Sequence, residues 1–180
     1  MRVTRLWTGK GDDGTTGLLF GGRAEKSSAR IDAVGAVDEA QAVIGVARAE
    51  TERGGELDVL LVAIERDLWV LMAELATAPE HRGKLVAEQS LVTPEMVQRV
   101  EAAIVDVGER FELPQEFVVP GQDRTSALLD QARTVVRRAE RVVHASTPTA
   151  SQALPYLNRL SSLLWALARW VEDEALPTRS

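Results

Sequence analysis

The sequence predicts an all-α protein, an antiparallel bundle of five helices preceded by a glycine-rich N-terminal loop. Three observations favour this fold. Apolar residues recur every three or four positions over most of the chain beyond residue 28. The breaks between these stretches are short and rich in Gly, Pro, Ser or Thr. Strand and helix patterns do not alternate, which disfavours a doubly wound sheet.

The predicted helices are delimited by residues that start or stop helices. Ser27 or Ser28 can cap the first helix, and Gly54-Gly55 stops it. Thr93 is a suitable cap for the third, followed by Pro and Glu in its first turn. Pro155 is tolerated only in the first turn of the fifth. The five predicted segments are residues 28–52, 56–77, 93–110, 125–145 and 152–174.

Three of these helices carry apolar stripes at the spacing of a bundle core. The stripes consist of Leu57, Leu60, Ile64, Leu68, Leu71 and Leu75 in the second helix, Leu128, Ala132, Val135, Ala139 and Val142 in the fourth, and Leu157, Leu160, Leu164, Leu167 and Val171 in the fifth. The segments between helices are predicted as loops. Residues 8–22 contain six glycines, 79–92 form a surface loop, and 117–121 form a short extended piece that closes in a turn.

The composition is that of one globular domain over residues 1–180, with the loop segment at 1–27 and the bundle at 28–176. Of the 180 residues, 45% are hydrophobic and 27% charged, which suits a buried core and argues against disorder. The chain has no cysteine and two histidines. Disulfides and thiol nucleophiles are excluded, and a multi-histidine metal site is disfavoured. We expect a cytoplasmic protein, because neither a signal peptide nor a membrane span is evident.

The net charge of −6 hides two basic segments. Residues 1–30 carry 6 basic and 3 acidic side chains, and residues 121–141 carry 5 and 3. Residues 31–120 carry 7 basic and 18 acidic side chains. An acidic chain is a poor binder of nucleic acid, whereas two small basic segments suit a small polyanion. Chance fluctuation over short windows is the alternative.

The glycine-rich segment has the chemistry of a phosphate-binding loop. Gly9 to Gly14 fits G-x-G-x-x-G, but the strand and helix of a dinucleotide fold are missing around it. Backbone N–H groups, the Lys10 amine and nearby threonine hydroxyls suit phosphate. Asp12 and Asp13 could face Mg²⁺. The alternative is a flexible terminal tail.

Polar residues also share faces of the fourth and fifth helices. Arg133, Arg137, Glu140 and His144 lie on one face of the fourth helix, and Arg138 and Arg141 lie beside it. Such dense positive charge predicts an anionic ligand or acidic side chains from another subunit. A solvated helix face is the alternative. Asn158, Ser162, Trp165 and Arg169 form a polar stripe on the fifth helix, for which helix–helix hydrogen bonding is the alternative.

Five sequence blocks, taken together, resemble the PduO-type ATP:cob(I)alamin adenosyltransferases over nearly the whole chain. In order they are TGKGDDGTTG at 8–17, VDE at 37–39, FVVPG at 117–121, RTVVRRAER at 133–141 and YLNRLS at 156–161. The resemblance implies a ferritin-like, cobalamin-adenosyltransferase-like bundle that forms a homotrimer with active sites between subunits. It also implies transfer of the 5′-deoxyadenosyl group of ATP to cob(I)alamin, which yields adenosylcobalamin and triphosphate.

The same resemblance implies residue roles. Arg137, Arg133 and Asp38 are the expected catalytic residues, and Arg133 is expected to pair with Asp38 across the subunit interface. Phe117 matches a phenylalanine below the corrin ring that displaces the lower cobalt ligand. Mg²⁺ accompanies ATP, with no protein ligand assigned. The expected ATP-binding residues are Thr8, Gly9, Lys10, Gly11, Asp12, Thr16, Gly17, Lys26, Arg137, Arg138, Glu140, Arg141 and Asn158.

The implied chemistry is consistent with a sequence that has no cysteine and only two histidines. Co(I) is itself the nucleophile, so no general base is needed, and the protein positions the substrates and neutralises the leaving triphosphate. A cobalamin reductase or flavoprotein and an adenosylcobalamin-dependent acceptor enzyme are implied partners, while nucleic acid and membranes are not. A non-catalytic trimeric carrier or sensor of adenosylcobalamin is the alternative; the intact triphosphate residues favour the enzyme.

The sequence departs from the family pattern mainly on the corrin side. We therefore expect the departures to affect the binding of the corrinoid rather than the binding of ATP. They are Gln122 for a glycine, Ser162 for an aspartate, Glu116 for a lysine, Ala40-Gln41 for Leu-Asn and Glu65-Arg66 for Gln-His.

Overall fold

The computed structural model describes residues 7–146, 151–172 and 174–179. Within these ranges the predicted five-helix bundle is confirmed. A short hairpin precedes the bundle, and a 3-10 helix lies between the second and third helices. The elements are β1 (Thr15–Gly17), β2 (Arg23–Glu25), α1 (Ala29–Arg48), α2 (Glu56–Leu75), the 3-10 helix Pro79–Lys84, α3 (Pro94–Gly108), α4 (Arg124–Ser146) and α5 (Ala153–Val171).

The hairpin is a difference from the predicted loop. β1 pairs antiparallel with β2, with Thr16 opposite Ala24. The turn between the strands needs left-handed backbone at Gly21 and Gly22, whose φ angles are 105° and 85°, and glycine adopts these without strain. The Leu19 N–H donates to the Ala76 carbonyl at 2.9 Å. The tip of the turn is therefore docked on the end of α2.

The helices follow one another around the bundle in the order α2, α1, α4, α5, α3, and α3 returns to α2 where Arg99 pairs with Asp67 at 3.7 Å. α1 packs against α2 and α4, and α5 packs against α4 and α3. The apolar stripes predicted for α2, α4 and α5 face the core, and most of their members are buried. The half-buried members lie at the edges of the stripes; they are Leu57, Leu60, Leu128, Val142 and Val171.

The helix ends differ from the prediction by a few residues. α1 ends at Arg48 rather than near residue 52, and α5 ends at Val171 because Glu172 takes up extended backbone. Thr93 caps α3 as predicted, since its side chain accepts a hydrogen bond from the Met96 N–H at 3.4 Å. Ser28 occupies the cap position of α1, but its hydroxyl donates to the Glu25 carbonyl at 2.7 Å and does not cap the helix.

Two charged residues, Arg30 and Glu74, hold the segments around the bundle through hydrogen bonds. Arg30 Nη1 donates to the carbonyls of Leu75 at 2.8 Å and Thr77 at 2.6 Å, which joins the start of α1 to the end of α2. Glu74 is fully buried and accepts hydrogen bonds from Arg82 at 2.8 Å and from the Ser151 hydroxyl at 2.7 Å. Among the described residues no helix has the length and apolar character to cross a bilayer.

Candidate functional site

Two backbone carbonyl groups of the glycine-rich loop accept hydrogen bonds from Lys26. Lys26 Nζ donates to the Gly11 carbonyl at 2.6 Å, and the Lys26 N–H donates to the Gly14 carbonyl at 2.9 Å. A Cβ at Gly11 would lie 3.1 Å from Lys26 Nζ, and Gly9 and Gly14 have positive φ angles of 70° and 83°. Glycine is therefore needed at Gly9 and Gly14 for the turns, whereas a side chain at Gly11 would displace the end of the Lys26 side chain.

Arg23 also ties this loop together, although the sequence pattern did not single it out. Its Nε donates to Thr15 Oγ1 at 2.7 Å, and its Nη2 donates to the Lys10 carbonyl at 2.5 Å and to Asp13 Oδ1 at 3.2 Å. Hydrogen bonds from the Thr15 N–H and hydroxyl, aided by Arg23, hold the pKa of Asp13 below its usual range. Asp13 is thus engaged within the loop. The Asp12 carboxylate makes no hydrogen bond to any described residue.

The cationic surface predicted on α4 is present. Arg137, Arg138 and Arg141 are exposed, and Arg133 is half-buried. Arg138 Nη2 pairs with Glu39 Oε1 on α1 at 2.5 Å, and Arg141 Nη1 donates to the carbonyl of Arg137 at 2.9 Å. The guanidinium of Arg137 makes no hydrogen bond within the described ranges, which leaves it available to an anion.

Glu140 and Asn158 are brought together, as expected for residues of one site. Asn158 Nδ2 donates to Glu140 Oε1 at 2.8 Å, and Arg159 Nη1 donates to Asn158 Oδ1 at 2.7 Å. The bond from Asn158 to Glu140 joins α5 to α4, so the polar stripe on α5 does make a helix–helix hydrogen bond, which was the alternative interpretation. The contacts also fix the directions of Glu140 and Asn158 at the edge of the cationic surface.

Arg133 and Arg137 line a cleft of about 400 Å³ between α3, α4 and α5, which we call the arginine cleft. Its other walls are aromatic, aliphatic and hydroxyl groups. Phe111 and Trp165 meet edge to face with ring centroids 6.1 Å apart. Paired guanidinium groups above an apolar wall suit a ligand that carries both negative charge and an apolar part. The remaining lining residues are Ile104, Gly108, Leu113, Ser161, Ser162 and Ala166.

Asp38 lines a different cleft, of about 750 Å³, between α1, α2, the hairpin and the loop after α2. We call it the apolar cleft. Leu19, Phe20 and Trp69 contribute to its wall, and Trp69 is 67% exposed. The sequence reasoning missed this cleft. The available signal was Trp69 itself, which lies on α2 outside the predicted core stripe.

Phe117 lies on an extended segment, as predicted, and its side chain is 86% exposed. The Thr178 N–H donates to the Phe117 carbonyl, and the Val119 N–H donates to the Leu176 carbonyl, both at 2.8 Å. Gly121 has a φ of 115° and closes the segment in a turn. The C-terminal residues therefore hold the backbone while the aromatic ring projects into solvent.

Comparison with known proteins identifies the family. The cobalamin adenosyltransferase profile matches residues 6–171. The chain belongs to the cobalamin adenosyltransferase family. A corrinoid adenosyltransferase of Citrobacter freundii is 39% identical over 168 residues, covering 92% of this chain and 93% of the relative. Another, from Mycobacterium bovis, is 38% identical over 178 residues, covering 94% of this chain and 89% of the relative.

Solved structures of adenosyltransferases share the fold. One is a variant PduO-type ATP:corrinoid adenosyltransferase from Lactobacillus reuteri complexed with cobalamin and ATP. It matches with a TM-score of 0.84 at 25% identity, covering 98% of this chain and 100% of that one. The family and the bundle fold suggested by the five sequence blocks are therefore confirmed.

In this member of the adenosyltransferase family, the expected site residues lie in two separate regions. Gly17 and Asp38 line the apolar cleft, Arg133 and Arg137 line the arginine cleft, and Phe117 lines neither. The two clefts share no lining residue. Over the described parts of the chain, no hydrogen bond or ion pair joins the loop to α4. The contact expected between Arg133 and Asp38 is not made within one chain, since Arg133 Nε donates to Asp130 Oδ1 at 3.0 Å.

Proposed function

We propose that this corrinoid adenosyltransferase transfers the 5′-deoxyadenosyl group of ATP to cob(I)alamin in active sites formed between neighbouring copies of the chain. The separation of the two clefts within one chain carries the shared-site part of the proposal. A head-to-tail arrangement brings the loop of one copy onto the arginines of the next, and a ring of three copies closes such an arrangement. The same arrangement lets Arg133 meet Asp38 of a neighbour.

The triphosphate of ATP binds between the loop and the arginine cleft. Loop N–H groups, Lys10 and Arg137 supply the positive charge and hydrogen-bond donors that phosphate oxygens require. Lys26 exchanges its Gly11 carbonyl for a phosphate oxygen. Glu140 and Asn158, already joined to each other, recognise the nucleoside end of ATP. The guanidinium of Arg137, which pairs with none of the described residues, is the feature of the site that most directly suits a polyanion.

Mg²⁺ fits this site as a companion of ATP. Among the described residues no group of three or more His, Asp or Glu side chains could hold a metal ion. The phosphates would therefore supply most of its ligands, and the Asp12 carboxylate would hold it directly or through water. The ion neutralises negative charge on the phosphate oxygens.

The corrin ring lies between copies of the chain, against the apolar cleft of one copy and Phe117 of a neighbour, because Phe117 does not line the apolar cleft of its own chain. The cleft has the size and the apolar wall of a small-molecule site, and Trp69 and Phe20 offer flat surfaces to a flat ring. Phe117 projects from a held backbone and can displace water and the lower ligand from the cobalt. Loss of that ligand makes reduction of Co(II) to Co(I) easier. A reductase or flavoprotein supplies the electron, and an adenosylcobalamin-dependent enzyme accepts the product.

The chemical step is one substitution at carbon. The Co(I) electron pair attacks C5′ of ATP, the C5′–O bond breaks, and its electron pair leaves on the triphosphate oxygen. No proton moves, so no general base is required. Arg137, Lys26 and the loop N–H groups stabilise the charge that develops on the leaving group.

The proposal is tested by reducing cob(II)alamin chemically to cob(I)alamin under anaerobic conditions, adding ATP and Mg²⁺, and recording the visible spectrum. We expect repeated turnover to adenosylcobalamin. Tight binding of adenosylcobalamin without turnover would instead identify a carrier or sensor. Failure to bind either ATP or corrinoid would contradict the assignment of both clefts.

A further inference from the structure

A buried carboxylate connects Arg133 to a second arginine inside the bundle. Asp130 lies about one turn before Arg133 on α4 and is 4% exposed. Its Oδ1 accepts a hydrogen bond from Arg133 Nε at 3.0 Å, and its Oδ2 accepts one from Arg169 Nη2 at 2.7 Å. Arg169 is 3% exposed and also donates to Glu172 Oε2 at 3.1 Å. Four charges of alternating sign therefore run from the cleft into the interior.

Only one edge of the Arg133 guanidinium takes part in this contact. Nε donates to Asp130, whereas Nη1 and Nη2 make no hydrogen bond to any described residue. The Arg133 side chain is 27% exposed and lines the arginine cleft. Because the guanidinium is rigid and planar, fixing Nε also fixes the direction of the remaining four N–H donors.

Asp130 is held more firmly than a surface carboxylate could be. Both of its oxygens are engaged, each by a different guanidinium, and it is buried with Arg169 between α4 and α5. Arg169 is itself confined, since its guanidinium carbon lies 5.8 Å from the centre of the Trp165 ring. A buried carboxylate fully paired in this way has little freedom to turn.

We infer that Asp130 is a positioning residue that holds Arg133 with its terminal amino groups facing the arginine cleft. The inference rests on the proposed function, which places the triphosphate and the neighbouring Asp38 on that side of Arg133. Without Asp130, the Arg133 side chain would sample several directions and lose entropy each time a ligand ordered it. The remaining pair, Arg169 with Glu172, would still balance its own charge.

The test compares Asp130→Asn with Glu172→Gln, a matched loss of charge at the far end of the same network. We expect kcat for adenosylcobalamin formation to fall about 10- to 100-fold in Asp130→Asn, the size typical of a misplaced active-site group. Glu172→Gln should keep a rate close to wild type. In an Arg133→Ala background, Asp130→Asn should cause no further loss, because the group it positions is already gone.

A wild-type rate in Asp130→Asn would overturn the inference. So would a loss of kcat from Asp130→Asn that is as large in the Arg133→Ala background as in the wild type, because Asp130 would then act on folding rather than on Arg133.

A second measurement is independent of turnover. We expect the Arg133 Nε–H of the wild-type protein, assigned by its loss in Arg133→Lys, to exchange with water more slowly than that of Arg137. Equal exchange rates would refute the inference, whereas an inactive wild-type protein with a protected Nε–H would count against the proposed function only.

Discussion

Arg137 is the residue on which the account of nucleotide binding depends most. It lines the arginine cleft, and its guanidinium makes no hydrogen bond within the described ranges. We expect Arg137→Ala to lower turnover more than about tenfold, because charge on the leaving triphosphate loses a preorganised partner. Steady-state kinetics with varied ATP measure this. Arg124→Ala is the control, since Arg124 lies on the same helix and pairs with Glu50 away from both clefts.

Near-normal kinetics in Arg137→Ala would contradict the role given to the arginine cleft. An equal loss in Arg124→Ala would also contradict it, because the effect would then come from general loss of positive charge rather than from this position.

Phe117 is proposed to assist the reduction of cobalt more than the transfer of the adenosyl group. Its exposed ring is proposed to exclude water and the lower ligand from the metal. We expect Phe117→Ala to lose most turnover when cob(II)alamin and a flavoprotein reductase are supplied, and to lose less when cob(I)alamin is prepared chemically. Val105→Ala is the control, because Val105 on α3 is also an exposed apolar residue; this variant should affect neither assay. Full turnover of Phe117→Ala with the reductase would show that the role is wrong.

The positions of single residues were predictable from the sequence where they depend only on neighbouring residues in the chain. The cluster of arginines on one helix face follows from helical spacing, and the exposed position of Phe117 is consistent with its short extended segment. Cross-helix partners were not predictable. Arg138 meets Glu39 across 99 positions of sequence, and a single sequence contains no signal for that pairing. The contact between Arg133 and Asp130 is at helical spacing and could have been found.

At the scale of elements, α1 and α2 are joined by Asp58 at their meeting ends. Asp58 Oδ1 accepts from Arg48 Nε at 2.7 Å and Oδ2 from the Gly54 N–H at 2.8 Å. The Gly54 N–H and then Arg48 hold the pKa of Asp58 below its usual range. Because the folded pKa is the lower one, the ionised carboxylate stabilises the fold above the unfolded value of about 3.9. That contribution is lost as the pH falls further.

We therefore expect Asp58→Asn to be less stable than wild type at neutral pH and to lose less stability on acidification. Urea unfolding at about pH 7, 5 and 3 gives the free energies to compare. Asp106→Asn is the control, since Asp106 forms an exposed pair with Arg110 and such pairs contribute little. Parallel pH profiles for wild type and Asp58→Asn would contradict the assignment.

Element boundaries were predicted well where the signal is local. Thr93 caps α3, and the stripes of α2, α4 and α5 face the core. The hairpin was missed because its strands are only three residues long, Thr-Thr-Gly and Arg-Ala-Glu, and glycine, alanine and glutamate are uncommon in strands. Its turn depends on a tertiary contact, from Leu19 to the end of α2. The end of α1 was placed too late because the turn that follows it is fixed from α2 by Asp58.

At the scale of the whole molecule, the account requires that one active site be built from two chains. Asp38→Ala damages one side of the interface and Arg137→Ala the other. We expect each variant to be nearly inactive alone, while oligomers that contain both chains recover activity. Recovery is expected because one interface then joins the intact loop side of the Arg137→Ala chain to the intact arginine side of the Asp38→Ala chain. Co-expression with two different tags allows the mixed oligomers to be purified and assayed.

The matched control is Asp38→Ala mixed with the double variant Asp38→Ala/Arg137→Ala, in which no interface has two intact sides. Activity there, or its absence from the first mixture despite confirmed mixed oligomers, would argue for a site within one chain.

The charge distribution along the chain predicted two basic segments but not where they lie relative to each other. The two basic segments of the sequence correspond to the loop and to α4. Their location on separate faces was not predictable, since it depends on how the hairpin docks on α2 and on the order of helices in the bundle. Assembly between copies is likewise a property that one chain's sequence pattern does not specify.

The most direct test of the central claim is the stoichiometry of the products. Cob(I)alamin and ATP are allowed to react with the protein, adenosylcobalamin is measured by its visible spectrum, and the phosphorus products are resolved by 31P NMR. Attack at C5′ predicts intact triphosphate in equimolar ratio to adenosylcobalamin. ADP with phosphate as the phosphorus products, or triphosphate without adenosylcobalamin, would contradict the account.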